Sequence, residues 1–175
     1  MTSFEIAQLI ASIRHDSLPG AVVDRAKTAV LDYLGVLLAG MSMPLSGELM
    51  DSLGGARALE RPDLFALWSG VAARIVDLDD GHRFAMGHPG VPVISGVLAS
   101  TVGARVGGSA FLEAVVRGYE LYGLLGRVIN PAAYKERGFD STGICGAVAA
   151  AGGVACTTGL DTAGTGHALA IAGSL

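Results

Sequence analysis

Between Ser141 and Leu160 the chain runs for 20 residues without a charge, yet only Ile144, Val148, Val154 and Leu160 are large aliphatics. A stretch of that length must leave water, either as a membrane span or as a buried helix. It has no aromatic belt and no Lys/Arg cluster on its far side, as a span would require. Its small side chains instead suit close approach between helices. The expectation is a buried helix in a tightly packed bundle, with no membrane span. The bias extends along the chain: there are 26 glycines, and charged residues make up 16%, against about 25% in ordinary soluble domains. Mean hydropathy is +0.52. Much of the surface is therefore expected to pack against another chain or a second domain. The 175 residues read as a single domain, 1–175, long enough to bury a core.

Apolar spacing is helical almost throughout. Thr2, Ser3, Phe4 and Glu5 form a capping box ahead of Ile6, Leu9, Ile10 and Ile13. Pro19 and Gly20 open a second helix, with Val23, Val30, Leu31, Leu34, Leu37 and Leu38 expected on its core side and Gly40 at its end. A short helix is placed at 48–53 within a glycine-rich loop. Pro62 and Asp63 start another, with Leu64, Leu67, Trp68, Val71 and Ile75 at 3–4 spacing. Ser109 is expected to cap a helix that buries Phe111, Ala114, Val115, Gly118, Leu121 and Leu125, with Glu113 and Arg117 paired on another face. The segment 130–140 is polar and irregular. Asp161 caps a last helix after Gly159, and the apolar run to Leu175 has no polar tail, as if it continued onto a partner. Val91–Ser95 is the only β-leaning stretch, and Pro92 argues against a central strand. The fold class expected is all-α.

Net charge is −4, with no basic run or basic helix, so nucleic acid is not an expected partner. Cys145 and Cys156 fit neither a CxxC pair nor a secreted disulfide framework, and read as free thiols in a reducing compartment, the cytoplasm. No targeting segment is expected at the N-terminus, where Glu5 comes early.

One stretch departs from this small-residue background. VDLDDGHRFAMGHPGVPV, Val76 to Val93, holds three aspartates, two histidines and an arginine within 12 residues. One reading is a helix C-terminus running into a solvated loop. Carboxylates there are electrostatically unfavourable and need compensation from His82, Arg83 or a neighbouring helix N-terminus. A metal site fits poorly: counted from Asp77, glycine falls one position early for a calcium loop, and His88 stands where a bidentate Glu belongs. HExxH is absent as well. The third reading is acid–base chemistry on a small acid. A carboxylate and an imidazole can share a proton near neutral pH, and Arg83 can receive a substrate carboxylate.

Asp77-Leu78-Asp79-Asp80-Gly81-His82, followed by His88-Pro89, resembles the DxDDTH…HPS signature of the MmgE/PrpD family of 2-methylcitrate dehydratases, cis-aconitate decarboxylases and iminodisuccinate epimerases. Further pieces resemble that family in order: Asp32-Tyr33-Leu34-Gly35, Gly118-Tyr119-Glu120, Arg137-Gly138-Phe139-Asp140-Ser141-Thr142-Gly143, Gly159-Leu160-Asp161 and Ala168 to Ser174. The resemblance implies an MmgE/PrpD-type helical bundle, incomplete because the family's C-terminal lid domain is absent. It implies no metal and no organic cofactor, a small di- or tricarboxylate substrate, and proton transfer next to a carboxylate.

On this resemblance Asp77 would orient or share a proton with a histidine, and His88 would serve as acid, base or carboxylate contact. The alternative is that Asp77 caps a loop. Arg83, Tyr134 and Arg137 are candidates for holding carboxylates, with Gly81 and His82 beside them. Two departures stand out. Gly81 replaces the family's threonine, and Asp140 replaces its histidine, which sets an anion toward an acidic substrate unless Asp140 is protonated or paired with Lys135 or Arg137. Asp140 reads equally well as a helix N-cap. Lysines and a tyrosine that the family carries further along are not in these residues.

The functional expectation is therefore a cofactor-independent lyase or isomerase, or its large-domain piece, inactive as an isolated chain. A homodimer or a second chain supplying the missing domain is the expected partner. The alternatives are a non-catalytic helical subunit that completes a partner's site and a decayed homologue.

Overall fold

The computed structural model describes residues 1–174, and among them the regular structure is helical. Eight α-helices follow one another: α1 Ser3–Ala11, α2 Gly20–Met41, α3 Pro44–Ser52, α4 Pro62–Arg74, α5 Gly90–Ser100, α6 Gly108–Ile129, α7 Ser141–Thr157 and α8 Thr162–Ala172. Short tight turns of helix lie at His15–Ser17 and Gly55–Glu60, and a wide π-type turn at Ala132–Glu136 interrupts the irregular stretch before α7.

The helix starts follow local chemistry. Thr2 and Glu5 form the expected capping box, and Asp140 and Asp161 accept from backbone N–H groups of Thr142 and Gly164. Pro62 sits in the first turn of α4, where its missing N–H costs nothing. Pro92 does the same in α5, so the β-leaning run Val91–Ser95 is helical. Ser109 is not a cap: α6 begins one residue earlier, behind Gly107, whose extended backbone makes the turn unaided. The short helix expected at 48–53 starts earlier too, at Pro44, whose fixed φ opens it.

The core packs α6 against α7, α5 against α7, α4 against α5, and α2 against α4, while α1 closes on α8. Tyr33, Trp68, Val93, Ile94, Val97, Val115 and Tyr122 form its centre, and Ala7, Ile10, Leu121 and Leu169 a smaller cluster at the α1/α8 end. The glycines of α6 and α7 set the spacing. A Cβ on Gly118 would lie 2.5 Å from Val93, and one on Gly153 2.7 Å from Val97 and 3.0 Å from the carbonyl oxygen of Ala114. The uncharged stretch is thus the buried α7, packed at near-backbone distance. No helix among the described residues is by itself long and apolar enough to cross a membrane; α2 and α3 meet that description only together, across an 85° bend.

Two expectations about faces need correction. On α2 the buried residues are Ala26, Tyr33, Val36, Leu37 and Gly40, while Leu31, Leu34 and Leu38 face outward. The helix is apolar on two sides, and α4 covers only one of them. Glu113 and Arg117 do pair, but inside the molecule, at 6% and 8% exposure. There Arg117 also donates to the carbonyls of Ile13 and Ala11, and Glu113 accepts from the His15 N–H. The pair ties the end of α1 to α6. Helix α8 closes at Ala172 with Gly173 as its C-cap. The expectation attached to Leu175 lies outside the described residues.

Candidate functional site

The segment between α4 and α5 builds the site. Helix α4 ends at Arg74, and Asp77 then takes a left-handed backbone with φ of 53°, which turns the chain away from the helix axis. His82 and Gly87 close a small loop: the His82 N–H donates to the Gly87 carbonyl at 2.8 Å, and the Met86 N–H to the His82 carbonyl at 2.9 Å. The His88 N–H then donates to the Thr142 hydroxyl of α7 at 3.2 Å. Pro89 and Gly90 start α5 directly afterwards.

The three aspartates are compensated in different ways. Arg74 Nη1 reaches Asp77 and also lies 3.0 Å from Asp79 Oδ1. Asp80 accepts from the Gly90 N–H at the N-terminus of α5 and from the Tyr119 hydroxyl, each at 2.9 Å. Of the compensations the sequence left open, a neighbouring helix N-terminus satisfies Asp80. Burial raises the Asp80 carboxyl above its ordinary range, opposed by those two hydrogen bonds. The hydrogen bond and charge of Arg74 lower Asp77.

The carboxylate that faces His88 is Asp79. The expected direct meeting of Asp77 with His88 is not what the structure holds: Asp77 is exposed and turned to Arg74, because the left-handed residue rotates its side chain outward. The Asp79 side chain is 2% exposed, and its Oδ2 has no hydrogen-bond partner and lies 3.6 Å from His88 Nδ1. Arg74 links the two aspartates, so Asp77 reaches the imidazole only through a guanidinium and a second carboxylate.

The tautomer of His88 follows from its neighbours. Nδ1 lies 2.6 Å from the Asp80 carbonyl oxygen, which can only accept. Nδ1 of the neutral ring therefore carries the hydrogen, and Nε2 presents a lone pair. His82 is the opposite case. Its Nδ1 accepts from the Ala85 N–H at 3.0 Å, so its hydrogen sits on Nε2, packed toward Gly123 of α6.

An open cleft of about 590 Å³ lies over this loop, lined by Arg74, Gly81, His82, Arg83, Met86, Gly87, His88, Tyr134 and Asp140. Of the sequence candidates, Gly81, His82, Arg83, His88, Tyr134 and Asp140 are thus gathered on one cleft, whereas Asp77 and Arg137 do not line it. Arg83 is exposed and makes no ion pair among the described residues. Asp140 pairs with neither Lys135 nor Arg137; it caps α7 and adds its charge to that of the aspartates around Arg74. Asp140 is the N-cap of α7, and it also lines the cleft. A Cβ at Gly81 would meet nothing within 4 Å, so a threonine would fit there.

Sequence reasoning missed Arg74, Asp79, Asp80, Tyr119 and Thr142. Arg74 carried a usable signal, being the basic residue in the last turn of the helix that precedes three aspartates. Tyr119 and Thr142 fall within stretches that resemble the family, but their contacts with this loop come from distant helices and gave no sequence signal. Among the described residues no group of three His, Cys, Asp or Glu is placed to hold a metal ion.

Residues 4–175 match the family model of the MmgE/PrpD N-terminal domain. The chain is also similar to a cis-aconitate decarboxylase-like protein, oryM, of Aspergillus oryzae, at 26% identity over 186 residues. That match takes in 96% of this chain and 39% of the relative, so the chain spans about two fifths of that protein's length.

Proposed function

The chain belongs to the MmgE/PrpD family, and from that premise we propose that it forms the helical-domain part of a cofactor-independent lyase or isomerase whose proton-transfer group is His88. The observation that carries the reading is the pairing of His88 with Asp79 at 3.6 Å, at the wall of a cleft that also exposes Arg83. An imidazole whose Nδ1–H is held by the Asp80 carbonyl has a basic Nε2, and the buried Asp79 anion beside it stabilises the imidazolium formed once Nε2 takes a proton.

The substrate class is a small di- or tricarboxylate. Arg83 receives one carboxylate, with Tyr134 as a second contact. Nε2 of His88 removes a hydrogen from the carbon next to a carboxylate, and the C–H electron pair moves into that carboxylate as an enediolate. Expulsion of a β-hydroxide from the enediolate gives dehydration; return of the proton to the other face gives epimerisation. Decarboxylation uses the same pair in reverse, with the imidazolium delivering its proton to carbon as CO2 leaves. Asp77 acts at one remove, by fixing Arg74 against Asp79.

A second reading is a helical subunit whose site is completed by another chain. The openness of the cleft favours it, since its lining comes only from the end of α4, the loop at 81–88 and the approach to α7. On either reading the 175-residue chain alone turns over 2-methylcitrate or cis-aconitate negligibly.

The test is isotopic. The full-length protein is incubated with each of these acids in D2O, and deuterium uptake beside the carboxylate is followed by NMR. Wild type exchanges, and His88→Gln lowers exchange by about 10²-fold or more. Undiminished exchange in that variant removes His88 from the mechanism. Robust turnover by the 175-residue chain overturns the view that its site is incomplete.

A further inference from the structure

The loop that carries His88 is held from behind by a partly buried carboxylate that the proposed chemistry does not use. Asp80 sits between the imidazole and α6. Its carbonyl accepts from His88 Nδ1 at 2.6 Å, and its two carboxylate oxygens are taken separately by the Gly90 N–H and the Tyr119 hydroxyl. There is no slack in the arrangement: a Cβ at Gly90 would lie 2.7 Å from Asp80 Oδ1 and 2.9 Å from the Tyr119 oxygen. Holding both carboxylate oxygens fixes the Asp80 side chain. The adjoining peptide is fixed with it, and that peptide's carbonyl chooses the tautomer of His88.

We propose that Asp80 and Tyr119 are positioning residues for His88: the clamp of Tyr119 and Gly90 on the Asp80 carboxylate keeps the Asp80 carbonyl on Nδ1 and so commits Nε2 to the role of base. This inference rests on the assignment of His88 as the proton-transfer group. Neither residue touches substrate. Tyr119 reaches His88 only through Asp80, from a helix on the far side of the loop, while Thr142 of α7 holds the His88 N–H. A histidine free to take either tautomer would spend part of its time with a hydrogen on Nε2, where it can only donate. The clamp removes that fraction.

The readout is the tautomer itself. The 175-residue chain is labelled with 15N-histidine, and the ring nitrogens of its four histidines are observed at a pH where they are neutral. His88→Gln identifies the His88 signals. Wild type shows His88 as the Nδ1–H form. Tyr119→Phe removes one of the two donors to Asp80 and lowers the ratio of Nδ1–H to Nε2–H by about tenfold, the scale of a lost hydrogen bond to a charged group.

Tyr33→Phe removes a comparable buried hydroxyl, the one bonded to Ser95 at 2.8 Å, and leaves the ratio unchanged. If Tyr119→Phe does not fold by circular dichroism, Asp80→Asn carries the same expectation, because the amide offers one acceptor oxygen to two donors. In the full-length protein Tyr119→Phe lowers kcat by about tenfold with KM unchanged, a part of the roughly 10²–10⁴-fold that acid–base catalysis supplies. An Nε2–H form in wild type, or a wild-type ratio in Tyr119→Phe, overturns the proposal. The tautomer measurement needs no turnover. Loss of the deuterium-exchange result with the tautomer result intact therefore sinks the enzymatic reading alone, and the converse sinks the clamp alone.

Discussion

Asp79 meets His88 across 3.6 Å with an oxygen that has no other partner, while its second oxygen is held by Arg74 at 3.0 Å. A buried carboxylate oxygen without a hydrogen bond costs stability of the order of 1–3 kcal/mol. Folds retain such costs where a site needs the charge. Asp79→Asn keeps the shape and removes the charge, setting an NH2 against either Arg74 or His88 Nδ1–H, both donors. The expected outcome is a roughly 10²-fold loss of turnover in the full-length protein with the fold retained by circular dichroism. A lower melting temperature with turnover intact would make Asp79 a structural residue.

Asp77 and Asp80 lie three positions apart and respond oppositely to pH. Arg74 lowers Asp77 by hydrogen bond and charge, so its contribution is present above about pH 4 and is lost as pH falls through its lowered folded value. Burial raises Asp80, so its contribution is full below about pH 4 and is lost as pH rises through its raised folded value. Urea midpoints measured from about pH 2 to pH 7 should show Asp77→Asn flattening the acid limb and Asp80→Asn flattening the decline above about pH 4. Matching slopes in the two variants would contradict these directions.

Two glycines of α2 should behave differently when replaced. A Cβ at Gly40 would overlap the Ala72 carbonyl of α4, whereas one at Gly35 would meet nothing within 4 Å. Gly35→Ala is expected to stabilise by about 0.5–1 kcal/mol through helix propensity. Gly40→Ala is expected to destabilise by about 3 kcal/mol or more, since backbone must move to admit it. Urea unfolding of the two variants gives the sign directly.

The Glu113–Arg117 pair should be costly to break from one side. Glu113→Ala leaves the buried guanidinium of Arg117 without its anion, at an expected cost of about 3–5 kcal/mol by urea unfolding. The same carboxylate lies 3.6 Å from the Cys156 sulfur, whose thiol is raised first by burial and also by that charge. Glu113→Gln should therefore speed alkylation of Cys156 in the folded protein. Cys145, buried and pushed up to about 11, should react only on unfolding in both proteins.

The helices were largely legible because their signals are local. Thr2 with Glu5, Pro62, Asp140 and Asp161 act within one turn of the residues they cap, and the packing of α7 followed from twenty positions with no charge. Faces were less legible where a helix is apolar on two sides. Leu31, Leu34 and Leu38 keep helical spacing as well as Tyr33, Val36 and Leu37 do, and only the position of α4 decides between the two stripes. The loop carried its chemistry in its composition but not its geometry. Whether residue 77 or 79 turns toward residue 88 depends on one left-handed backbone position, and nothing in the alternation of aspartates marks which residue takes it. Contacts from Tyr119 and Thr142 span 39 and 54 positions and exist only once α6 and α7 have docked.

Glycine takes the place of bulk at three close approaches of α5 and α6, at Gly90, Gly118 and Gly126. A conventional core can trade a leucine for a methionine and keep its helix axes. At these three positions there is no side chain to trade, and an enlargement must shift the helix or the atoms it meets. Substitution is therefore channelled into the cleft rim, at Gly81, Arg83, Tyr134 and Asp140, while the scaffold beneath works as a fixed jig.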